Sequence, residues 1–163
     1  MDPKPSDLNQ SDGAECVALW MAERGVAGEL IRPGAPTPTV ETAATALGVT
    51  PEHVVKSLLF LVDGDPYLVI VRGTTRVKTK KLLNGVGGRK ACIATREEVE
   101  DMTGFPVGGT PPFGHRRALP VLIDQSVLAL EEIYAGGGSN DVMLRLRVND
   151  LVQATQGRVV DVT

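Results

Sequence analysis

Two stretches of this sequence hold residues that could do chemistry together. One is Gly104 to His115, Gly-Phe-Pro-Val-Gly-Gly-Thr-Pro-Pro-Phe-Gly-His. The other is the apolar run Val54 to Val62, whose single charge is Lys56. The first is too rich in glycine and proline for a helix or a central strand, and too apolar for a solvated linker. Proline fixes φ, while glycine permits positive φ and a close approach of backbone to a ligand, so such a loop has a defined shape. The expectation is that the loop walls one side of a small pocket and that Lys56 supplies another. A site of this kind can orient an ester, stabilise an oxyanion through backbone N–H groups and anchor a phosphate through an ammonium. A lysine in an apolar strand is equally what an edge position or a snorkelling side chain gives, and the residues alone leave both readings open.

Other chemistries lack their parts. There are two histidines, His53 and His115. No Gly-x-Ser-x-Gly elbow is present, and no His, Cys, Asp or Glu set has the spacing of a catalytic zinc site, so no metal is expected. Lys56-Ser57 is a poor Ser–Lys dyad, because successive residues of a regular strand point to opposite faces. His115, ahead of Arg116-Arg117, reads as a base or as a surface or hydrogen-bonding residue. Cys16 and Cys92 lie far apart without metal spacing and read as buried thiols.

The 163 residues carry a net charge of −3, so the protein as a whole is no general nucleic-acid binder. Its charge is unevenly spread. Arg72, Arg76, Lys78, Lys80, Lys81, Arg89 and Lys90 follow one another with no Asp or Glu between them. Such a stripe can contact phosphate even on an acidic protein, and a solvated helix face is the alternative. Gly85-Val86-Gly87-Gly88 lacks the Walker pattern and follows no strand, so it reads as a helix stop. No apolar run is long enough to span a bilayer, and Met1 to Gly13 has neither the basic start nor the apolar core of a signal peptide. These features point to a cytoplasmic protein with a flexible tail over 1–11 and a single domain over 12–163.

The elements that must position the two stretches follow from local signals. Asp12 with Glu15 is expected to open a first helix that stops at Gly25. A strand over Glu29 to Arg32 leads through the stiff Ala35-Pro36-Thr37-Pro38 to a helix from Val40 to Leu47, capped by Thr39 and ended by Gly48. Thr50-Pro51 starts a brief third helix. Val54 to Val62 and Tyr67 to Arg72 form a hairpin about Asp63-Gly64-Asp65. A basic helix runs from Thr75 or Arg76 to Asn84-Gly85, and a strand from Lys90 to Ala94. Thr95 with Glu98 boxes the helix Arg96 to Thr103. After the Gly/Pro loop come a strand over Leu119 to Ile123, a second glycine-rich turn at Ala135 to Ser139, and a strand over Val142 to Val148. Asn149 or Asp150 then caps a last helix before a strand over Arg158 to Val162. Together these give one α/β (mixed α+β) domain with a strongly bent mixed sheet and short flanking helices.

Val55-Lys56-Ser57-Leu58-Leu59-Phe60, the loop Gly104 to His115, Ile123-Asp124 and Ala135-Gly136-Gly137 together resemble the YbaK/ProX family. These are free-standing relatives of the editing domain inserted in bacterial prolyl-tRNA synthetases. The resemblance covers roughly Pro38 to Thr155, and its most specific parts are Lys56 on its strand and the Gly-x-x-x-Pro element from Gly108 to Pro112. It implies an aminoacyl-tRNA deacylase that removes a wrongly esterified small amino acid from the 3′ end of a tRNA. The free 2′-hydroxyl of the tRNA would assist, so neither a triad nor a cofactor is needed. It further implies Lys56 near the terminal adenosine and Gly108 at the aminoacyl group. Gly109, Thr110, Pro111, Pro112, Phe113, Gly114 and His115 would bind substrate, as would Asp124, Gly136 and Gly137. Arg76, Lys78, Lys80 and Lys81 become a candidate surface for the tRNA backbone. The implied partners are a mischarged tRNA and, transiently, an aminoacyl-tRNA synthetase. Other readings are a non-catalytic module of the same fold that binds a tRNA end or a nucleotide, and a small-metabolite pocket. On the leading reading neither Gly108 nor Gly109 should accept a side chain.

Overall fold

Leu68, Val69, Ile70 and Val71 are all completely buried, which requires apolar cover on both faces of their strand. In the computed structural model, which describes the backbone of residues 5–163 and the side chains from residue 13 on, that strand is β3 (Asp65–Arg72). It pairs antiparallel with β2 (Val55–Val62) and parallel with β5 (Val121–Asp124). β4 (Ala91–Ile93) and β8 (Arg158–Val160) complete a five-stranded sheet in the order β4-β2-β3-β5-β8. The β2–β3 turn is two residues, Asp63 and Gly64, with φ of 50° and 86°, the conformation that matches the twist of a tight hairpin. The Asp63 carboxylate accepts the N–H groups of Arg89 and Lys90 at 3.0 and 2.9 Å, which fixes where β4 enters. β4 reaches only Phe60 to Val62, so it leaves the edge of β2 from Val55 to Leu58 open.

A second sheet, ordered β1-β7-β6, is antiparallel throughout: β1 (Gly28–Ile31), β7 (Met143–Arg147) and β6 (Glu132–Gly136). One parallel bridge, Val54 to Tyr134, links the sheets, so the bend expected within one sheet is a junction between two. The main core lies between them and holds Ile70 and Ile123 against Leu144 and Leu146. α1 (Pro5–Arg24) adds Val17 and Met21 to it, and α5 (Val148–Thr155) adds Leu151. On the other face of the larger sheet, Leu82 of α3 (Thr79–Val86) and Val162 pack on Val69, Val71 and Leu122. α2 (Val40–Leu47) builds a smaller cluster in which Ala43 and Ala44 meet Val54 and Met143. α4 (Arg96–Thr103) leads into the Gly/Pro loop.

Several expected boundaries move, each for a tertiary or local reason. α1 starts at Pro5 rather than at Asp12, and proline suits a first helical turn. The tail expected over 1–11 therefore falls partly outside the described residues and partly on this helix. α3 starts at Thr79, because the Lys78 N–H is drawn to the Val162 carbonyl at 2.7 Å. α5 starts at Val148 directly from β7, with no side-chain cap; the Val148 N–H donates instead to Glu131 O at 2.9 Å. Cys16 and Cys92 are free and exposed, not buried. Cys92 lies on edge strand β4, which has a partner on one side only. Among the described residues no helix is long and apolar enough to cross a membrane.

Candidate active site

The open edge of β2 borders a cleft of about 280 Å³. Lys56 sits on this edge, partly buried, and makes no salt bridge among the described residues. The short 3-10 turn Val107–Gly109 contributes Val107 and Gly108 to the same cleft, and Thr110 follows them. Thr110 locks this turn by donating its hydroxyl to Pro106 O at 2.8 Å. The segment Thr37 to Val40 with Ala43 is a third wall, and Val54 and Met143, which cluster with Ala43, also line the cleft.

Backbone contacts zip these walls together. Gly138 N–H donates to Gly109 O at 2.9 Å, and Thr37 N–H donates to Asn140 O at 2.7 Å. Gly137 N–H is taken by Val142 O at 3.0 Å. Glycine is required where the strands of backbone touch: a Cβ on Gly109 would lie 2.7 Å from the Ser139 carbonyl carbon. Gly108 differs, since its Cβ would meet chiefly the Asn140 side-chain oxygen, at 2.9 Å. The two glycines that the sequence treats alike therefore have separate duties, Gly108 at the cleft and Gly109 behind it.

Of the residues singled out from sequence, Lys56, Gly108, Thr110 and Gly136 come together on the cleft. The rest stand back from it. Pro111, Pro112 and Phe113 are buried, and Phe113 stacks on Trp20 with ring centroids 4.4 Å apart and an interplanar angle of 11°. Arg24 covers the indole with its guanidinium carbon 4.2 Å from the ring centroid. Gly114 takes φ 78° beside Trp20. His115 donates Nε2–H to Pro111 O at 2.8 Å and meets Phe105 edge-on, so it braces the loop. Asp124 is completely buried and clasps the C-terminal segment that follows β8. Its carboxylate accepts the Val162 N–H at 2.9 Å, the Thr163 hydroxyl at 3.0 Å, and both the N–H and the hydroxyl of Ser126. Lys81 is likewise committed, to the Asp161 carboxylate at 3.1 Å and to Thr163 O at 3.0 Å. Arg76, Lys78 and Lys80 are exposed.

Burial and the neighbouring Arg76 guanidinium push the Lys56 ammonium below its usual range, and Glu41 offsets part of this. Burial also lowers His115, against its bond to Pro111, which favours the charged form. For Asp124, burial pushes the carboxyl up, but the bonds from Ser126, Val162 and Thr163 outweigh it and hold the group below its ordinary value. The sign follows from that depression. The unfolded chain binds the proton more readily, so the charged clasp stabilises the fold above the ordinary carboxylate value. The contribution is lost as pH falls through the lower folded one. Asp124→Asn is expected to cost about 1–3 kcal/mol near neutral pH, with the gap to wild type shrinking in acid. Denaturant titrations of both proteins from neutral to acid pH check this; a gap that stays constant would remove the charge from the explanation.

Sequence reasoning misses the third wall. Alternation along its strand places Met143 with the exposed Arg145 and Arg147, yet it is buried against α2. The stiff Thr37-Pro38-Thr39 link is legible as rigid, and its proline content is the available signal.

Residues 34–154 match the profile of the aminoacyl-tRNA editing domain. The proline–tRNA ligase of Maridesulfovibrio salexigens is 35% identical over 132 residues, which are 81% of this chain and 21% of the ligase. The proline–tRNA ligase of Nitratidesulfovibrio vulgaris is 36% identical over 113 residues, 68% of this chain and 20% of the ligase. The chain thus spans about a fifth of the length of these curated relatives. A crystal structure presented as a candidate trans-editing enzyme for prolyl tRNA synthetase superposes with a TM-score of 0.87 at 32% identity, covering 99% of each chain. The hypothetical protein APE2540 gives 0.85 at 33% identity, covering 90% of this chain and 98% of its own.

Proposed function

Because this chain belongs to the aminoacyl-tRNA editing domain family, we propose that its cleft hydrolyses the ester joining a wrongly attached small amino acid to the 3′ end of a tRNA. The observation that carries this is that Lys56 and Gly108 line one cleft together with the apolar Val40, Ala43 and Met143. The Lys56 ammonium is disfavoured by burial and by Arg76, so an anionic phosphate next to it would relieve both penalties. The backbone of Gly108 to Thr110 holds the aminoacyl group. Water attacks the ester carbonyl, the free 2′-hydroxyl of the terminal ribose assists, and the bond to the 3′-oxygen breaks to release the amino acid and a restored 3′-hydroxyl. No side-chain nucleophile is needed. Val40, Ala43 and Met143 receive the amino-acid side chain, and among the described residues no Asp or Glu lines the cleft, which suits a small uncharged group. One methylene in such a pocket is worth about 1–3 kcal/mol, so neighbouring small amino acids are separated only modestly. A panel of tRNAs mischarged with Ala, Cys, Ser or Thr tests the reading. Hydrolysis of at least one is expected. Binding without hydrolysis of any would make the protein a recognition module.

The exposed stripe extends the site toward the tRNA backbone. Lys81 is tied to Asp161 and Thr163 after β8, so the remaining candidates are Arg76, Lys78 and Lys80. Replacing Lys78 and Lys80 by Ala, with Arg76 kept because its guanidinium acts on Lys56, is expected to weaken tRNA binding and flatten its salt dependence. The slope should fall by about 0.7–0.9 for each phosphate that is no longer neutralised. The chemical step at saturating tRNA should hardly change, since the interaction is equal in ground and transition states. Kd measured against salt for both proteins decides; identical slopes would leave the stripe a solvated face.

A further inference from the structure

Among the described residues, one buried side-chain polar atom has no hydrogen-bond partner, the Oγ of Ser57. Ser57 lines the cleft beside Lys56. Alternation along β2 sends the two side chains to opposite faces. Both line the cleft, as do Val55 and Leu58 of the stretch of β2 that β4 leaves unpaired. On its other side Ser57 lies opposite Ile70 of the main core. A hydroxyl shut in among apolar groups destabilises the fold unless it finds a partner, and native proteins keep few such atoms without a reason. Since Ser57 lines the cleft, a partner for this hydroxyl can be supplied by an occupant of the cleft.

We infer that the Ser57 hydroxyl is a substrate-binding group whose partner is a neutral oxygen of the aminoacylated terminal ribose, either the ester carbonyl or the free ribose hydroxyl. The inference rests on the editing reading above. Ser57 does not attack the ester: Lys56 points to the other face of the strand and cannot take its proton. Its duty is to hold the ester end while Lys56 holds the phosphate end.

The test joins stability to affinity in Ser57→Ala. The probe is adenosine carrying an alanyl group through a non-hydrolysable 3′-amide, made with and without the 2′-hydroxyl. The variant is expected to melt at or above the wild-type Tm, because it deletes an unsatisfied group, yet to bind the probe about tenfold more weakly. A purely structural serine would move both in the same direction. If the partner is the ribose hydroxyl, the probe lacking it binds wild type and variant alike; if it is the carbonyl, the tenfold gap persists. A lower Tm would show that the hydroxyl has a partner within the fold, and an unchanged Kd would show that substrate does not use it; either overturns the inference. Wild type that binds neither probe and deacylates no tRNA of the panel sinks the editing reading and this one with it. Wild-type binding beside an unaffected Ser57→Ala sinks this one alone.

Discussion

Lys56→Ala is expected to slow single-turnover deacylation by roughly 10- to 150-fold while the protein keeps its fold. A charge-assisted contact to phosphate or ribose is worth about 1.5–3 kcal/mol, and each 1.4 kcal/mol is about tenfold. Stability should hardly suffer, because the deleted cation has no carboxylate partner among the described residues and is held below its usual pKa by burial and Arg76. Lys56→Met keeps the stem and removes only the charge, so it should lose as much rate as the alanine variant. Arginine is not a safe replacement, since its planar fork needs a different geometry from a point charge. Rates within a factor of about two of wild type for both variants would assign Lys56 to the snorkelling role that an apolar strand edge also explains.

Gly136→Ala is expected to lower Tm by roughly 4–12 °C, from an overpacking cost of about 2–3 kcal/mol, whereas Gly108→Ala should melt close to wild type. The Cβ on Gly136 would collide with the Thr110 carbonyl oxygen and lie 2.9 Å from the Gly109 carbonyl carbon. Both are backbone atoms of the turn that Gly138 N–H and Thr110 Oγ1 hold in place, so nothing nearby can give. The Cβ on Gly108 would instead press on the exposed Asn140 side chain and lie 3.3 Å from the Pro38 Cα, a contact that a shift of a few tenths of an ångström relieves. Thermal melts of the two variants side by side check the contrast. Equal Tm values would mean that the loop yields, and that the cleft wall is softer than its hydrogen bonds imply.

What can be read from the sequence is what short-range chemistry decides. Thr39 and Thr95 cap their helices with full boxes, and Gly48 and Gly104 end them in the left-handed conformation, all within a few residues of chain. Asp63-Gly64 likewise marks its own turn. Elements whose ends are set from afar escape such signals: α3 waits for the Val162 carbonyl and α5 for that of Glu131. The site divides the same way. Lys56 stands out as a lone charge, and Gly108 stands out through its loop. The resemblance gives Asp124 a substrate-binding role, and its structural one is hidden in the sequence because two of its four donors, at Val162 and Thr163, lie across the fold. The α2 wall is invisible there because Val40, Ala43 and Met143 are ordinary core residues by type, and only the packing of α2 beside the open edge of β2 makes them a cleft.

Trp20 is the only tryptophan of the chain, and its ring lies flat on Phe113 in the loop that walls the cleft. The molecule therefore carries a native optical gauge on the loop behind its cleft. Its emission comes from a single indole, sandwiched between a phenyl ring and the Arg24 guanidinium, so the spectrum is not a mixture of distant environments. Any occupant that shifts the loop by a fraction of the stacking distance alters that sandwich and is seen without a dye, a label or a coupled assay.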